Sequence, residues 1–565
     1  MKFNIKEIPF CSYGSTLVIS YIDNIKGIED GLYIRNVQGG DDFISHLLKI
    51  ELIEGEEIID FDTIATPTLL KLVSENGFVE FCISKENIIS FRGEGVGLRL
   101  TMDKRSYDNG IPINNKQWEI NSYKEQIKLL LTSLKGELVV DAPWNKIRSE
   151  YLVADFVAKA DDNKFSGAIE AYEKVWEEKE YGSFDSYHRK IKKSYDNWME
   201  SIPKVPKEIE KGRQDAGYFT WSCMVSPRGL LTRPAMYMSK RYMPNIWSWD
   251  NCFNAMALIK RYPKLAYDQI MIFIDNQDES GLFADFINDR FACWSCTKPP
   301  VHGWAIRWMM DRSEFFTKEK IEEIYEPLVK WTDWWFKYRD YDKDGIPAYN
   351  HGNDSGWDNS TVFNETPPVK SPDLLSYLII QMDLLSSLAK IIGKDDEFKY
   401  WKKRADESLS RLIEYFYDGE RFVARSVGSH KIVESNSLLP FMPIALGDRL
   451  PKEIAEKLIC QLKEKGSFYT EYGLATERID SPLFEAEGYW RGPIWAPTTM
   501  IIIDGLYNME EKEFAREIGE KFCKMASKEG MTENYNPLTG KALKENAFTM
   551  TASVFLTLIE ELYLN

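Results

Sequence analysis

Histidine is scarce in this chain, five in 565 residues, and neither those five nor the eight cysteines form a metal-ligand pattern. Among the cysteines only Cys293 and Cys296 stand close together, and no second pair completes a zinc site. Scattered cysteines without a signal peptide read as buried thiols of a reducing compartment. The N-terminus, Met1 to Gly14, lacks the apolar stretch of a secretory signal, and no run of 18 apolar residues occurs. A soluble, cytoplasmic protein without membrane contact is expected. Positive charge is in deficit as well: 71 basic against 88 acidic residues leave a net charge of −17, a field that repels nucleic acid. There is no glycine-rich phosphate loop and no nucleophile elbow, so neither metal nor cofactor is expected.

What is abundant is aromatic. Aromatics make up 13% of the chain and include 17 tryptophans, the side chain whose flat face best covers a pyranose ring and which also fills cores. At this length two domains are expected. Residues 1–180 read as strands, with short β-branched or alternating runs at Ser15–Tyr21, Phe78–Ser84, Gly95–Met102 and Gly136–Val140 between turn residues. That spacing predicts an antiparallel β-sandwich. A charged stretch from about Ala168 to Met199 reads as a connecting helix, with the linker ending near residue 203.

From 204 to 565 the pattern becomes helical. Twelve helices are expected, near 206–226, 248–261, 264–277, 299–314, 318–341, 372–392, 395–417, 433–446, 451–464, 493–508, 511–528 and 546–563. The best marked has Ser371 as cap, Pro372 in its first turn and Gly393 after its end. Its apolar stripe is Leu374, Leu378, Met382, Leu385 and Leu388 or Ala389. Twelve helices match six hairpins closed into a toroid.

Five loops between these helices are too rich in Trp, Asp, Asn, Glu and Arg to be simple connectors. They are 241–251, 275–281, 351–360, 487–495 and 533–540. In a helical toroid alternate connections gather at one end and line a single funnel. Sugar chemistry needs this mixture: carboxylates and amides for hydroxyls, indoles for apolar ring faces, and two carboxyl groups flanking the scissile bond. In an inverting enzyme those two stand about 6.5–9.5 Å apart, and one must keep its proton at neutral pH. Asp358, beside Trp357 and four residues after Asp354, has neighbours suited to raising a pKa.

These segments resemble a clan of glycoside hydrolases that holds the family 37 trehalases and family 63, with its glucosidases and its mannosylglycerate and glucosylglycerate hydrolases. The matching pieces are Trp249-Asp250, Thr297-Lys-Pro-Pro-Val301, Asp354-Ser-Gly-Trp-Asp-Asn359, Tyr489-Trp-Arg-Gly-Pro-Ile-Trp495 and Glu533-Asn-Tyr-Asn536 with Gly540, in family order over about 300 residues. The resemblance implies a β-sandwich followed by an (α/α)6 barrel and cleavage with inversion. It implies Asp358 as general acid and Glu533 as general base, with Glu487 and Glu545 as rivals for the base. Trp249, Asp250, Gln277, Asp354, Trp357, Trp490, Arg491 and Tyr535 are the expected substrate-binding residues, and Asp285 lies on a loop able to reach the pocket. Two departures stand out. Asp354 and Lys298 occupy positions where the family often has Glu and Gln, and Lys298 on the aglycone side would suit a carboxylate such as glycerate. The final helix lacks the Gly-Phe-Gly-Trp run of trehalases.

The expected activity is therefore exo-acting hydrolysis of a small α-glucoside or α-mannoside. A sugar epimerase on a similar toroid would rely on histidines, and only His302 and His351 lie near these segments. A phosphorylase would replace the base by a phosphate site, and Glu533 argues against that. The sequence is silent on the sugar, the leaving group and the oligomeric state.

Overall fold

A computed structural model describes residues 1–103, 105–365 and 367–563. The chain divides into two compact units.

The first unit comprises Met1–Ser201, Gly217–Ser226 and Ser239–Pro244. One antiparallel sheet has the order Leu17–Ile22, Gly31–Asn36, Leu48–Glu54, Gly97–Met102, Leu152–Val157 and Glu137–Asp141, with Glu57–Ile59 also paired to Leu48–Glu54. The other runs Asn109–Asn114, Gln117–Ser122, Ile127–Lys135, Lys164–Tyr172, Ile88–Glu94, Phe78–Lys85, Leu70–Val73 and Asp62–Ala65. Alternation does the sorting: Leu48, Ile50 and Leu52 are buried while Lys49 and Glu51 are only partly covered. The two sheets meet through Phe91 and Phe156, whose rings pack edge to face at 4.7 Å.

One expectation fails here. Residues 164–172 form a strand, not the start of a helix, and α1 (Phe184–Ser201) begins later. Neighbouring strands pair with both edges of Lys164–Tyr172, and that tertiary pairing overrides the local preference of its Ala and Glu residues.

The second unit comprises Ile202–Ala216, Pro227–Met238 and Asn245–Asn565. After α2 (Glu210–Ser222) its helices are α3 (Asp250–Leu258), α4 (Pro263–Asp275), α5 (His302–Met310), α6 (Lys318–Tyr338), α7 (Pro372–Ile392), α8 (Asp395–Phe416), α9 (Lys452–Lys463), α10 (Ala496–Asn508), α11 (Lys512–Glu529) and α12 (Thr549–Tyr563). The helix expected at 433–446 is instead a 3-10 segment, Leu439–Arg449. Pro440 and Pro443 supply no backbone N–H there, and Gly447 leaves the helical region altogether.

Packing follows a cycle. α3 lies on α5, α5 on α7, α7 on Leu439–Arg449, that segment on α10, α10 on α12, and α12 back on α3. α4, α8, α9 and α11 follow members of this cycle in sequence and pack back on them. Since one further helix stands between each member and the next along the chain, the members run in one direction and their N-termini share one end.

Helix α7 bears the expected stripe, fully buried, with Pro372 in its first turn and Gly393 at φ 83° after its end. The N–H of Lys394 closes that end on the Ala389 carbonyl at 2.8 Å. Ser371 does not cap it; its hydroxyl donates to the Asp373 carboxylate instead. Among the described residues α7 alone is long and apolar enough to cross a membrane, and most of it is buried within the helical unit.

Candidate functional site

The motif-bearing loops immediately precede α3, α5, α7, α10 and α12, so they lie together at the N-terminal end of the cycle. In the first, Ile246–Trp247 pairs with Phe286–Ile287, and the Ser248 N–H reaches the Asp285 carbonyl at 3.0 Å. This fixes Trp249 and Asp250 at the start of α3 beside the loop that carries Asp285 and Lys298.

The segment Asp354-Ser-Gly-Trp-Asp358 is held by three devices. The Asp354 carboxylate accepts from Arg339 Nη1 at 2.8 Å and from the backbone N–H groups of Asn350 (3.0 Å) and Thr297 (3.2 Å). Gly356 takes a left-handed φ of 74° with the Trp249 indole directly against it; a Cβ there would stand 2.7 Å from Cζ2. Gly352 lies so close under the Asp358 carbonyl that a Cβ would come to 2.0 Å from its oxygen.

Asn359 joins this turn to the next loop. Its Oδ1 accepts from the Trp490 N–H at 2.9 Å, and its Nδ2 donates to the Gly488 carbonyl at 2.9 Å. Arg491 Nε donates to the Asn359 carbonyl at 3.0 Å, and Nη2 donates to Asn364 Oδ1 at 2.6 Å. The indoles pack on one another: Trp490 stacks on Trp495 at 4.0 Å and 8°, and lies 4.7 Å from Trp357 and 6.2 Å from Trp249. Finally, Ile494–Trp495 pairs with Asn534–Tyr535, which brings Glu533 beside Tyr489.

The carboxyl groups crowd. Asp358 is open to solvent yet ringed by enough protein to raise its pKa, as expected for a group on a cleft wall; burial raises it and the Lys298 and His351 charges pull it down. Glu533 is nearly covered. Burial raises its pKa, hydrogen bonds from Tyr489 and the Glu545 N–H lower it, and the Asp358 charge raises it again. Asp250 is pushed up to about 7 by burial, against the pull of Lys298 and with added repulsion from Asp285 and Asp358. Asp285 is raised for the same reasons. Lys298 is the buried counter-charge: its ammonium lies 3.0 Å from Asp285 Oδ1, donates to the Asn353 carbonyl at 3.0 Å and donates to Asn353 Oδ1. Burial alone would lower its pKa, but these carboxylates hold it above the ordinary lysine value.

The structure therefore brings Asp250 and Asp285 within electrostatic reach of Asp358, and Asp358 within reach of Glu533. Other sequence expectations need correction. Gln277 spends its amide on the carbonyls of Gly281 and Pro327. Tyr535 is fully buried, its hydroxyl bonded to the Gly530 carbonyl and its ring packed on Phe522. Asp354 braces the loop through three donors. Arg491 ties loops together. Trp249, Trp357 and Trp490 are 4%, 2% and 1% exposed, so their faces serve one another and leave little for a sugar ring. Lys298 is buried, and its ammonium faces Asp285 and Asn353. Glu487 is exposed, with Asn536 Nδ2 3.5 Å away. His302 is buried between Phe283 and Trp331 and is pushed down to about 3 by burial, so it stays neutral. The thiols are not uniformly buried: Cys460 is exposed, and Cys293 and Cys296 are partly so.

Sequence reasoning set Lys298 on the aglycone side and missed its pairing with Asp285, and it quoted Asn359 and Tyr489 only within motifs, without a role. Only the last had no usable signal, because its role depends on backbone shape. Its φ of 65° is left-handed, the Trp495 indole N–H holds its carbonyl at 2.9 Å, and its hydroxyl donates to Glu533 Oε1 at 2.7 Å.

Two features elsewhere are separate from this site. Asp342, Asp344 and His430 lie close enough together to hold a cation, but Lys370 Nζ already stands 2.8 and 2.6 Å from the two carboxylates. A cavity of about 710 Å³, lined by residues such as Arg307, Asp504 and Tyr507, lies at the C-terminal ends of α5 and α10 and contains none of the residues above.

Against this geometry, the family described as the mannosylglycerate hydrolase MGH1-like glycoside hydrolase domain matches residues 243–551. The chain belongs to that family. It is a glycosidase, and its resemblance to glycoside hydrolase family 63 holds. The mannosylglycerate hydrolase of Rubrobacter radiotolerans is 21% identical over 451 residues, covering 64% of this chain and 98% of the relative. The glucosylglycerate hydrolase of Mycolicibacterium hassiacum is 23% identical over 410 residues, covering 55% and 91%. Among solved structures, the family 63 mannosylglycerate hydrolase of Thermus thermophilus in complex with glucose superposes with a TM-score of 0.54 at 17% identity, covering 62% of this chain and 99% of that one. A bacterial glucoamylase complexed with acarbose gives a TM-score of 0.60 at 10% identity and spans 99% of this chain and 95% of its own. At those identities the structural likeness is one of fold.

Proposed function

We propose that this glycosidase is an inverting, exo-acting hydrolase of small α-glucosides or α-mannosides, built on an (α/α)6 barrel, with Asp358 as general acid and Glu533 as general base. The cycle of helices, with one further helix between successive members, supports the barrel reading. The observation that carries the mechanism is the pair of carboxyl groups from different loops, both with raised pKa values and within electrostatic reach, Asp358 exposed and Glu533 buried. Burial raises the Asp358 pKa and so favours its protonated form, from which the proton passes to the leaving glycosidic oxygen. Glu533 takes a proton from water as the water attacks the anomeric carbon from the opposite face, through an oxocarbenium-like transition state. In this reading Asp250 and Asp285 accept hydrogen bonds from sugar hydroxyls. Mannosylglycerate and glucosylglycerate, named for the relatives, head the list of substrates to try, with α-linked gluco- and manno-disaccharides beside them.

The test is turnover of that panel with product anomers followed by NMR. The first-formed sugar should be the β-anomer. Asp358→Asn and Glu533→Gln should each lower kcat by about a hundred- to ten-thousand-fold with the fold intact by circular dichroism. First-formed α-anomer, or an active Asp358→Asn enzyme, would end the proposal.

A further inference from the structure

We infer that Tyr489 is a positioning residue for the base: its hydroxyl fixes the Glu533 carboxylate in the orientation and charge state from which it activates water. The inference rests on Glu533 being the base, and it adds a residue that neither composition nor motif chemistry points to.

The geometry is specific. Glu533 Oε1 accepts from the Tyr489 hydroxyl at 2.7 Å, and Oε2 faces the Glu545 N–H at 3.4 Å. The short bond is the stronger restraint; the long one alone leaves the carboxylate free to rotate. Tyr489 is itself held on three sides. Its backbone sits in the left-handed region, which a bulky residue enters only when its surroundings demand it. Its carbonyl accepts from Trp495 Nε1, and its ring packs edge-on against Trp495 at 5.0 Å. Trp495 is in turn stacked on Trp490, so the phenol is anchored to the indole cluster rather than to a mobile loop.

The backbone around Glu533 shares this character. Among the described residues ten non-glycines have positive φ, and three of them, Tyr489, Lys544 and Ala547, lie in the segments that surround the base. The charged and titratable groups facing Glu533 are Tyr489, Asp358 and Lys544, with the Glu545 backbone N–H beside them. Glu487 stands beyond Asn536 at the rim. Tyr489 also feels Asp358 and Asp250, which together with burial and Glu533 keep its own proton firmly in place, so it acts as a donor and not as a second base.

Tyr489→Phe keeps the ring packing and removes the donor. The loss of a hydrogen bond to a charged acceptor should lower kcat by about ten- to a hundred-fold with KM changed less than about three-fold. Because a hydrogen bond to the carboxylate favours its ionised form, the acid limb of the pH–kcat profile should move up by roughly one pH unit. A residue that only supported the loop would lower stability or raise KM and leave that limb in place. The same shift should appear without any substrate, in the titration of the Glu533 carboxyl followed by 13C NMR on the full chain labelled at glutamate and identified by subtraction of the Glu533→Gln spectrum. An acid limb and a carboxyl titration both unmoved in Tyr489→Phe would overturn the inference while leaving the base assignment standing. A fully active Glu533→Gln enzyme would instead remove the reading on which it rests.

Discussion

Replacing Gly356 by Ala is the sharpest probe of how the turn that carries Asp358 is built. Two separate strains would arise. An alanine at φ 74° costs about 1–2 kcal/mol for the left-handed conformation alone. Its Cβ would also stand 2.7, 2.8 and 3.0 Å from three atoms of the Trp249 indole. The closest approach falls about 0.7 Å short of ordinary contact, and crowding of this kind typically costs about 1–3 kcal/mol. The expected total is therefore about 2–5 kcal/mol, read as a lower urea midpoint at unchanged slope. Relief comes from moving Trp249, which carries Asp250 with it, or from moving the turn, which carries Asp358. A shift approaching 1 Å at either carboxyl costs about a hundred-fold in kcat/KM. Gly393 supplies the control. It has φ 83° with nothing within 4 Å of where an added methyl would stand, so Gly393→Ala should show only the conformational cost of about 1–2 kcal/mol and full activity. If the two variants lose equal stability, or if Gly356→Ala keeps wild-type kcat/KM, the argument from the indole contact is wrong.

Two further outcomes follow from the same structure. Lys298→Met leaves Asp285 without its ion-pair partner and Asp250 and Asp358 without a counter-charge, and should cost about 3–5 kcal/mol near neutral pH. These carboxyls have folded pKa values above their unfolded ones, with Asp250 at about 7, so their ionisation destabilises the fold as pH rises from about 4 to 7. The deficit of the variant should therefore be small at about pH 4.5 and large at about pH 7.5 in urea melts; an equal deficit at both would refute the counter-charge role. In the first unit, Phe156→Ala removes a fully buried ring that joins the two sheets and should cost about 3–5 kcal/mol by urea unfolding, with less than about 1 kcal/mol contradicting that placement.

The helical half is legible in the sequence because its pattern is local. Apolar stripes, Pro372 and Gly393 mark α7 without reference to anything distant. The Leu439–Arg449 segment misleads because its apolar run looks helical while its prolines and Gly447 decide otherwise. The strand at residues 164–172 misleads because its identity comes from partners far away in sequence. Within the site, Asp250, Asp285, Asp358 and Glu533 can be singled out since carboxylates in aromatic loops are rare and grouped. Gln277 and Tyr535 go wrong for a common reason: a polar or aromatic residue in a loop announces its chemistry but not the direction it faces. Tyr489 is invisible in sequence because its importance lies in a backbone angle and a single hydroxyl contact.

The arrangement of the helix cycle also bears on inheritance. Its members need only apolar faces of suitable period, a demand that very many sequences satisfy, whereas the grouped carboxyl and indole side chains lie in or beside the connectors ahead of its members. Drift can thus rewrite most of the scaffold while a few short stretches stay recognisable, which accounts for relatives about one-fifth identical that align over nearly their whole length. New specificities would be gained by recutting those connectors, with the frame beneath them untouched.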